Sequence, residues 1–561
     1  MIRRVTIGLF LLCVLGLAGF FAVGGRDGVL LLLVKYVKSN TYPANREVHW
    51  QTGPAKPDLA LRQLGRPGQP GQPNIILILA DDLGFNDITY YGGGIAGGSV
   101  PTPNIDAIAR EGVQFPSGYA GNATCAPSRA AMMTGRYPTR FGFEFTPVPK
   151  EFMQLVGSSK MHGELHPPLY HAARERDLIP YEDQGLPPTE ITIAKLLQGA
   201  GYHTVHLGKW HLGDGPQFRP QAHGFTESLA MLHGGSMFLP EHDPGVVNAK
   251  EASNPIDRFI WAASPWGMRF NQDPPFQPRS YMTDYLTDEA IKVVAANKHR
   301  PFFMYLAYNA PHTPLQATRE DYDALAHIPD HATRVYAGMI RSLDRNIGRV
   351  LKALKDQGVD DNTLVIFTSD NGGANYIGIN GLNDPYRGWK ATFFDGGVHV
   401  PFFMRWPAGL PKNFTYPAMV SHFDIFSTAA AAAGAKVPAD RAIDGVNLLP
   451  YIRQQSAGTP HEHLFWRGGD YQAVRTGDWK LQVSALPKQD WLYNLAIDPG
   501  ERNNLAASEP ARLVDMKGLL GEFNRQQIKP LWPALGEIAV PIDKTIRQPK
   551  DANDAYVYFA N

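Results

Sequence analysis

The chain has 561 residues with 53 basic and 53 acidic side chains, so its formal net charge is zero, and it has two cysteines. Zero net charge gives no sign of a nucleic-acid partner, and two cysteines exclude a disulfide-stabilised scaffold. The length exceeds what one compact core usually holds, which predicts two domains.

Residues 1–40 carry the features of a signal peptide or a membrane anchor. Arg3 and Arg4 precede an uncharged, apolar run over residues 5–25. This pattern is typical of a secretory signal, and the run is also long enough to span a bilayer. Both alternatives predict export to the periplasm or the extracellular space, with a membrane tether if the segment is retained. Residues 41–73 are rich in Pro, Gly and Gln, which is typical of a linker.

Two predicted strands end in oxygen-bearing side chains. The continuous apolar run over residues 74–80 predicts a strand buried on both faces, and Asp81 and Asp82 follow it directly. Asp370 and Asn371 follow the strand predicted at residues 363–368. Open α/β sheets bind ligands at the carboxyl ends of their strands, and adjacent carboxylates repel each other unless a cation or proton lies between them. Simple turns are the alternative for both pairs.

Nucleophilic and basic side chains stand at the ends of other predicted elements. Cys125 lies at the predicted N-terminus of a helix, where free backbone N–H groups favour negative charge. Lys209 and His211 follow a short strand and would point the same way in an extended segment. His312 follows the strand predicted at residues 301–308. The alternatives are an inert, buried cysteine and solvent-exposed lysine and histidine side chains.

The remaining segments suggest how the chain is divided. Residues 141–185 predict a loop or insertion over the site that shapes substrate choice, and residues 223–277 could supply lid or subsite residues. From about residue 460, short strands separated by turns predict a small antiparallel sheet, followed by a helix and a tail that wraps the surface. We therefore expect a catalytic domain over residues 74–459 and a small α+β subdomain with its tail over residues 460–561.

The string around Cys125 resembles the signature of the sulfatase family. Cys125-Ala-Pro-Ser-Arg129, running on to Met133-Thr-Gly-Arg136, is similar to Cys-x-Pro-Ser-Arg, four residues, Leu-Thr-Gly-Arg. Met133 in the leucine position is a volume-conserving replacement. The string is long and contains several fixed residue types, which makes the resemblance specific, and related strings extend it over about residues 74–505.

Three other segments resemble sulfatase motifs. They are Gly208-Lys-Trp-His-Leu-Gly213, Ala310-Pro-His-Thr-Pro314, and Lys390 followed after four residues by Asp395-Gly-Gly397. The family usually has glutamate where this chain has Asp395 and arginine where it has His399. Lys390 itself matches, but the two departures put the local packing in question.

The resemblance implies an α/β fold like that of the alkaline phosphatase superfamily. A large mixed sheet flanked by helices would be joined to a smaller C-terminal antiparallel sheet plus helix. The resemblance further implies that a formylglycine-generating enzyme or another sulfatase-maturation enzyme oxidises Cys125 to formylglycine, whose hydrate is the nucleophile. The expected enzyme is a sulfuric ester hydrolase that cleaves a sulfate monoester, either an aryl sulfate or a sulfated carbohydrate, to an alcohol and inorganic sulfate.

The resemblance also implies roles for individual residues. The metal ligands would be Asp81, Asp82, Asp370, Asn371 and the modified Cys125. Such hard oxygen donors favour Ca²⁺, with Mg²⁺ as the alternative. Lys209, Lys390 and Arg129 would neutralise the ester oxygens, and Lys209, His312 and Lys390 would bind the substrate. His211 would assist deprotonation of the hydrate, and His312 or Lys390 would protonate the leaving oxygen.

Two other functions stay open from the sequence. One is a phosphonate or phosphate monoester hydrolase, because the same superfamily and metal site handle other tetrahedral anions. The other is a catalytically silent, membrane-tethered glycan-binding protein that keeps Cys125 unmodified. The presence of every charged member of the site argues against the silent alternative.

Overall fold

The computed structural model describes residues 28–29, 31, 42–43, 46–56, 71–158, 165–251 and 253–561. The predicted targeting run over residues 5–25 lies outside these ranges, as does part of the predicted linker. Among the described helices, none is both long and apolar enough to cross a membrane.

The strands are numbered in chain order. They are β1 (Asn74–Ala80), β2 (Val113–Gln114), β3 (Gly118–Tyr119), β4 (Leu169–Tyr170), β5 (His203–Lys209), β6 (Glu227–Met231), β7 (Val246–Ala249), β8 (Arg269–Phe270), β9 (Phe302–Ala307), β10 (Leu315–Thr318), β11 (Thr363–Ser369), β12 (Phe402–Arg405), β13 (Phe414–Thr415), β14 (Val420–Ser421), β15 (His463–Gly468), β16 (Tyr471–Thr476), β17 (Trp479–Ala485), β18 (Lys488–Asn494), β19 (Gly536–Pro541) and β20 (Tyr556–Ala560).

The longer helices are numbered in the same way. They are α1 (Pro103–Arg110), α2 (Cys125–Thr134), α3 (Lys150–Ser158), α4 (Ile193–Gly199), α5 (Pro255–Ala263), α6 (Met282–Asn297), α7 (His331–Asp356), α8 (Asp424–Ala433) and α9 (Pro510–Arg525). Single helical turns occur at Ile95–Gly98, Arg319–Asp323, Asp395–Val398 and Leu449–Ile452.

A nine-stranded mixed sheet lies at the centre, in the order β13-β2-β12-β11-β1-β9-β5-β6-β8. The five strands β11, β1, β9, β5 and β6 are parallel to one another, and β12 and β8 pair antiparallel to them. All seven residues of β1 are buried, as its continuous apolar run predicts. The expected large mixed sheet is therefore confirmed.

Successive side chains of β1 alternate between the two faces of the sheet, and because all of its central residues are apolar, both faces are covered by helices. Ile76 and Ile78 lie in one hydrophobic cluster with residues of α1, α6 and α7. Ile75, Leu77 and Leu79 lie in a second cluster with residues of α2, α4 and α8. The sequence predicted α7 as one long amphipathic helix, and the buried stripe along its 26 residues agrees.

The C-terminal part forms a second, smaller sheet. Strands β15 to β18 pair antiparallel in chain order, and Met516 and Leu520 of α9 pack against Val474, Leu481 and Leu492 of that sheet. The expected small antiparallel sheet with a helix is confirmed. The tail differs from expectation, because β19 pairs with both β20 and β4 in a separate three-stranded sheet.

A buried ionic network joins the C-terminal sheet to the larger domain. The ammonium of Lys480, on β17, pairs with Asp395 and lies 3.1 Å from Oε1 of Glu501. Nδ1 of His399 lies 3.1 Å from Oδ2 of Asp395, and Oε2 of Glu501 accepts the Asp395 backbone N–H at 2.6 Å. The two departures from the family pattern, Asp395 and His399, are therefore paired with each other within a packed network.

Candidate active site

The strand-end residues meet at one edge of the central sheet. Asp81 and Asp82 follow β1, His312 follows β9, and Asp370 follows β11, while Lys209 is the last residue of β5. These four strands are adjacent and parallel, so their carboxyl ends lie side by side. This is the edge at which open α/β sheets bind ligands.

Cys125 is the first residue of α2 and lies over this edge. It is a free, buried thiol, and Gly135 ends the helix in the left-handed conformation with φ of 68°. The sulfur lies 3.6 Å from Oδ1 of Asp81, 3.6 Å from Oδ1 of Asp82 and 3.2 Å from Nζ of Lys390. The helix start thus places residue 125 between two carboxylates and an ammonium group.

Each of the three carboxylates is paired with its own cationic side chain. Lys209 donates to both oxygens of Asp81, at 2.9 and 2.6 Å. Lys390 donates to Oδ2 of Asp82 at 2.8 Å. Arg129 contacts Oδ2 of Asp370 through Nε at 2.9 Å and through a terminal nitrogen at 2.8 Å. These six residues were all predicted from the sequence, and the fold brings them together.

Burial and pairing shift the pKa values of these groups in opposite directions. Burial raises the pKa of Asp81 to about 7, although Lys209 opposes the rise. Burial also disfavours the Asp82 anion, but Lys390, His312 and Lys209 outweigh it and lower its pKa. Arg129 does the same for Asp370. Burial, followed by Asp370, raises the pKa of the Cys125 thiol well above its ordinary value.

The donor set at this edge fits a divalent cation. Ligand atoms of Asp81, Asp82, Cys125 and His312 all lie within 4.8 Å of one another. Oδ1 of Asn371 is buried and accepts no hydrogen bond from any described residue, while its amide donates to Oδ1 of Asp82 at 2.8 Å. A buried oxygen that accepts no hydrogen bond and lies beside carboxylates is suited to coordinate a cation.

Asp370, a predicted metal ligand, is not among the four residues whose ligand atoms lie within 4.8 Å of one another. Its Oδ1 accepts the backbone N–H of Asp82 at 3.1 Å, and its Oδ2 is held by Arg129. His312, which was predicted only as a substrate-binding and proton-transfer residue, lies among the ligand atoms, with Nε2 3.6 Å from Oδ2 of Asp82.

The two predicted histidines both border the space above Cys125. The expected extended segment through Lys209 and His211 is not observed, because β5 ends at Lys209 and His211 has φ of 57°. Nδ1 of His211 is buried and has no partner within the described chain. Burial lowers the pKa of His312 to about 3 and also lowers that of His211, with Lys209 adding to both shifts.

Tyr376 is a site residue that the sequence did not indicate. Its hydroxyl donates to Oδ2 of Asp82 at 3.3 Å and lies 3.4 Å from Nζ of Lys390. It stands in a short 3-10 turn, Asn375–Ile377, outside every motif described above. Local pattern gives no signal for it, because its role depends on contacts with residues far away in the chain.

A cavity of about 640 Å³ opens above the site. Cys125, His211, His312, Lys390 and Tyr376 border it at the sheet edge. Its walls come from α3 and α5 and from the tail around β19. The segment 141–185, predicted as a loop or insertion over the site, therefore includes a helix that lines this cavity, and the segment 223–277 supplies another.

Comparisons with known proteins identify the family. The family described as Sulfatase matches residues 73–435, and the one described as N-sulphoglucosamine sulphohydrolase, C-terminal, matches residues 387–526. The chain is 34% identical to N-acetylgalactosamine-6-sulfatase of Sus scrofa, with 75% of this chain and 74% of the relative covered. It is 33% identical to steryl-sulfatase of Mus musculus, with 84% of each chain covered.

A solved structure agrees with these matches. The crystal structure of Ps i-CgsB in complex with k-i-k-neocarrahexaose has a TM-score of 0.68 and 33% sequence identity, and covers 82% of this chain and 94% of that chain. The family match spans more than half of the sequence, and the matches to the two sulfatases cover most of the length of each relative. The protein is therefore a sulfuric ester hydrolase, and the chain belongs to the sulfatase family.

Proposed function

We propose that this sulfatase works with formylglycine in place of Cys125 and with a divalent cation, Ca²⁺ in preference to Mg²⁺. The cation would be held by the strand-end donors Asp81, Asp82, Asp370 and Asn371. The observation that carries the proposal is the position of Cys125, buried 3.6 Å from two carboxylates and 3.2 Å from an ammonium group.

An unmodified thiol suits this position poorly. The thiolate is the nucleophilic form of cysteine, and burial together with Asp370 raises the Cys125 pKa, which disfavours that form. Sulfur is also a soft ligand, whereas the neighbouring carboxylates favour a hard cation. An oxygen-bearing side chain at position 125 is better matched to the neighbouring donors.

Different residues around position 125 would carry out different steps of the reaction. When bound, the cation would neutralise the ester oxygens, and the hydrated aldehyde would supply the attacking hydroxyl. Lys209 and Lys390 would add positive charge where negative charge builds on the sulfuryl group. We assign deprotonation of the hydroxyl to His211. We assign protonation of the leaving alcohol oxygen, as its bond to sulfur breaks, to His312 or Lys390.

Peptide mass spectrometry tests the modification. We expect residue 125 to be formylglycine in preparations that hydrolyse 4-nitrophenyl sulfate, and Cys125→Ser to lose turnover while keeping the circular dichroism of the parent. A fully active preparation that carries only the thiol at this position would contradict the proposal.

Metal analysis tests the cation site separately. Asp82→Asn should lose bound metal and activity, because the remaining donors neutralise a divalent cation less well. Asp444→Asn is the matched control, since that carboxylate pairs with Arg140 outside the site, at 2.7 Å. Chelation should abolish activity and added Ca²⁺ should restore it in the control only. Normal metal content in Asp82→Asn would place the cation elsewhere.

The relatives suggest two substrate classes for this chain. N-acetylgalactosamine-6-sulfatase is named for a sulfated sugar, and steryl-sulfatase for a sulfated sterol. The chain is about equally identical to both relatives, so their names do not decide the leaving group. In either case the substrate would be a sulfate monoester, and the reaction would cleave the ester bond between sulfur and the alcohol oxygen.

A further inference from the structure

One helix presents an apolar stripe to the cavity above Cys125. Ile256, Phe259, Ile260 and Ala263 of α5 all line the cavity, at the spacing i, i+3, i+4 and i+7 that defines one helix face. All four are only partly buried. An amphipathic helix normally packs such a face against the core, so an apolar face along a cavity points to an apolar occupant.

Two other elements continue the apolar wall. Phe152 and Val156 of α3 line the same cavity, and the Phe152 ring meets the Phe259 ring edge to face with centroids 4.8 Å apart. Ile538 and Val540 of β19 line it as well. Among the hydrophobic clusters of the described residues, none contains Phe152 or Phe259.

Several polar residues of the cavity wall are already engaged within the protein. Oδ1 of Asn254 accepts the Ile256 backbone N–H at 2.7 Å as the cap of α5, and its amide donates to the Tyr376 carbonyl at 3.3 Å. Oδ1 of Asn561 accepts the Thr146 backbone N–H at 2.9 Å.

Polar wall groups that are already hydrogen-bonded within the protein are less able to bond to the hydroxyls of a sugar. A carbohydrate leaving group carries several hydroxyls, and those that face the apolar walls lose their water when the ring enters the cavity. Burying such groups without partners is unfavourable, whereas burying apolar rings against these walls is favourable. The apolar walls formed by α3, α5 and β19 therefore favour the sterol class over the sugar class.

We propose, on the basis of the proposed sulfatase function, that the leaving group of the natural substrate is an apolar alcohol or phenol built of several fused rings. The sulfate would lie at the sheet edge beside residue 125, and the ring system would lie between α3, α5 and β19. The volume of about 640 Å³ lies within the range of pockets for small organic ligands, about 300–1,000 Å³. It exceeds the space that a single aromatic ring requires.

Matched kinetics test the proposal. We expect kcat/KM to fall from estrone 3-sulfate, through 4-nitrophenyl sulfate, to N-acetylgalactosamine 6-sulfate when all are measured on one metal-loaded preparation of the full chain. Higher kcat/KM for the sugar sulfate than for the steroid sulfate would overturn the inference and leave the sulfatase function intact. Turnover of none of the three would instead count against the proposed function.

Binding of the sulfate-free product distinguishes failure of this inference from failure of the proposed sulfatase mechanism. Calorimetric titration with estrone, which requires no turnover, should show binding with a negative heat-capacity change, the mark of apolar burial. Titration with N-acetylgalactosamine should show none. Absence of estrone binding would overturn the inference even in an active enzyme.

Variants on α5 locate the apolar contact. Phe259→Ala and, as a second test, Ile260→Ala should raise KM for the steroid sulfate about tenfold with little change in kcat, because they remove apolar contact made equally in the bound and transition states. Arg258→Ala, on the same helix but outside the cavity lining, is the control and should leave KM unchanged. Unchanged KM in both lining variants would overturn the inference.

Discussion

Replacing Arg129 by glutamine should destabilise the protein strongly, because it removes a buried charge from the centre of the site. The guanidinium contacts Oδ2 of Asp370 at 2.8 and 2.9 Å, lies 3.4 Å from Oδ1 of Asp81, and donates to the Lys209 carbonyl at 2.9 Å. Arg129, Asp370 and Asp81 have no solvent-exposed side-chain surface. Arg129→Gln keeps some hydrogen-bonding capacity but leaves Asp370 without its cation, whereas Asp81 keeps Lys209.

The size of the effect can be worked out from these distances. Opposite unit charges 2.8 Å apart attract by about 6 kcal/mol at an effective dielectric constant of about 20. Desolvation of the arginine offsets part of this attraction, and removal of one partner from buried pairs typically costs about 3–5 kcal/mol. We therefore expect Arg129→Gln to lower the free energy of unfolding by about 3–5 kcal/mol.

Urea unfolding of chelator-treated protein, followed by tryptophan fluorescence, measures the effect without a contribution from bound metal. Arg405→Gln is the matched control, because Arg405 pairs with Asp360 and Glu111, whose side chains keep 14% and 43% of their surface exposed. The control should lose only about 1 kcal/mol. Equal losses in the two variants would refute the argument that burial of the whole Arg129 cluster sets the magnitude.

Three further predictions concern the backbone, a pH-sensitive contact and export. Gly208 has φ of 100°, and a Cβ there would lie 1.9 Å from the Ala307 carbonyl oxygen, so Gly208→Ala should lower the Tm and disturb the neighbouring site; an unchanged Tm would contradict this. Burial disfavours the His461 cation, but Asp424 outweighs it and raises the His461 pKa above 6.5. This pair should therefore stabilise the fold fully below pH 6.5, and the stabilisation should disappear as pH rises through the higher folded-state pKa. The Tm difference between the parent and His461→Phe should shrink over that range, whereas a pH-independent difference would exclude this ionic contribution. We also propose that residues 5–25 direct export, so fractionation should find the full chain outside the cytoplasm and a chain that begins at residue 74 within it; equal cytoplasmic recovery would refute this.

Local patterns in the sequence predicted the elements that carry the site. A continuous apolar run indicated β1, and a helical period indicated α7, because side-chain period reports directly on which face of an element is buried. The helix from Cys125 to Thr134 and its glycine stop also follow from local backbone preferences. The charged residues at the element ends could therefore be named without knowing where they meet.

Other parts of the site carried no local signal. The tail was expected to wrap the surface but forms β19 and β20, and the pairing of β19 with β4 joins residues more than 360 positions apart. Tyr376 reaches Asp82 from 294 positions away. Such pairings depend on which elements become neighbours, and residue period does not encode that choice.

The sequence by itself determined the family of this protein, since the residue types and their spacing indicated the sulfatase motifs and the strand-end donors, and it predicted modification of Cys125. Only the tertiary structure decided the order β11-β1-β9-β5, which brings Nζ of Lys209 to 2.6 Å from Asp81 across 128 positions. It also decided the apolar walls of the cavity, because α3, α5 and β19 come from three separate segments. Each of these segments has an apolar face of its own, but only packing around a common space turns those faces into the walls of one cavity.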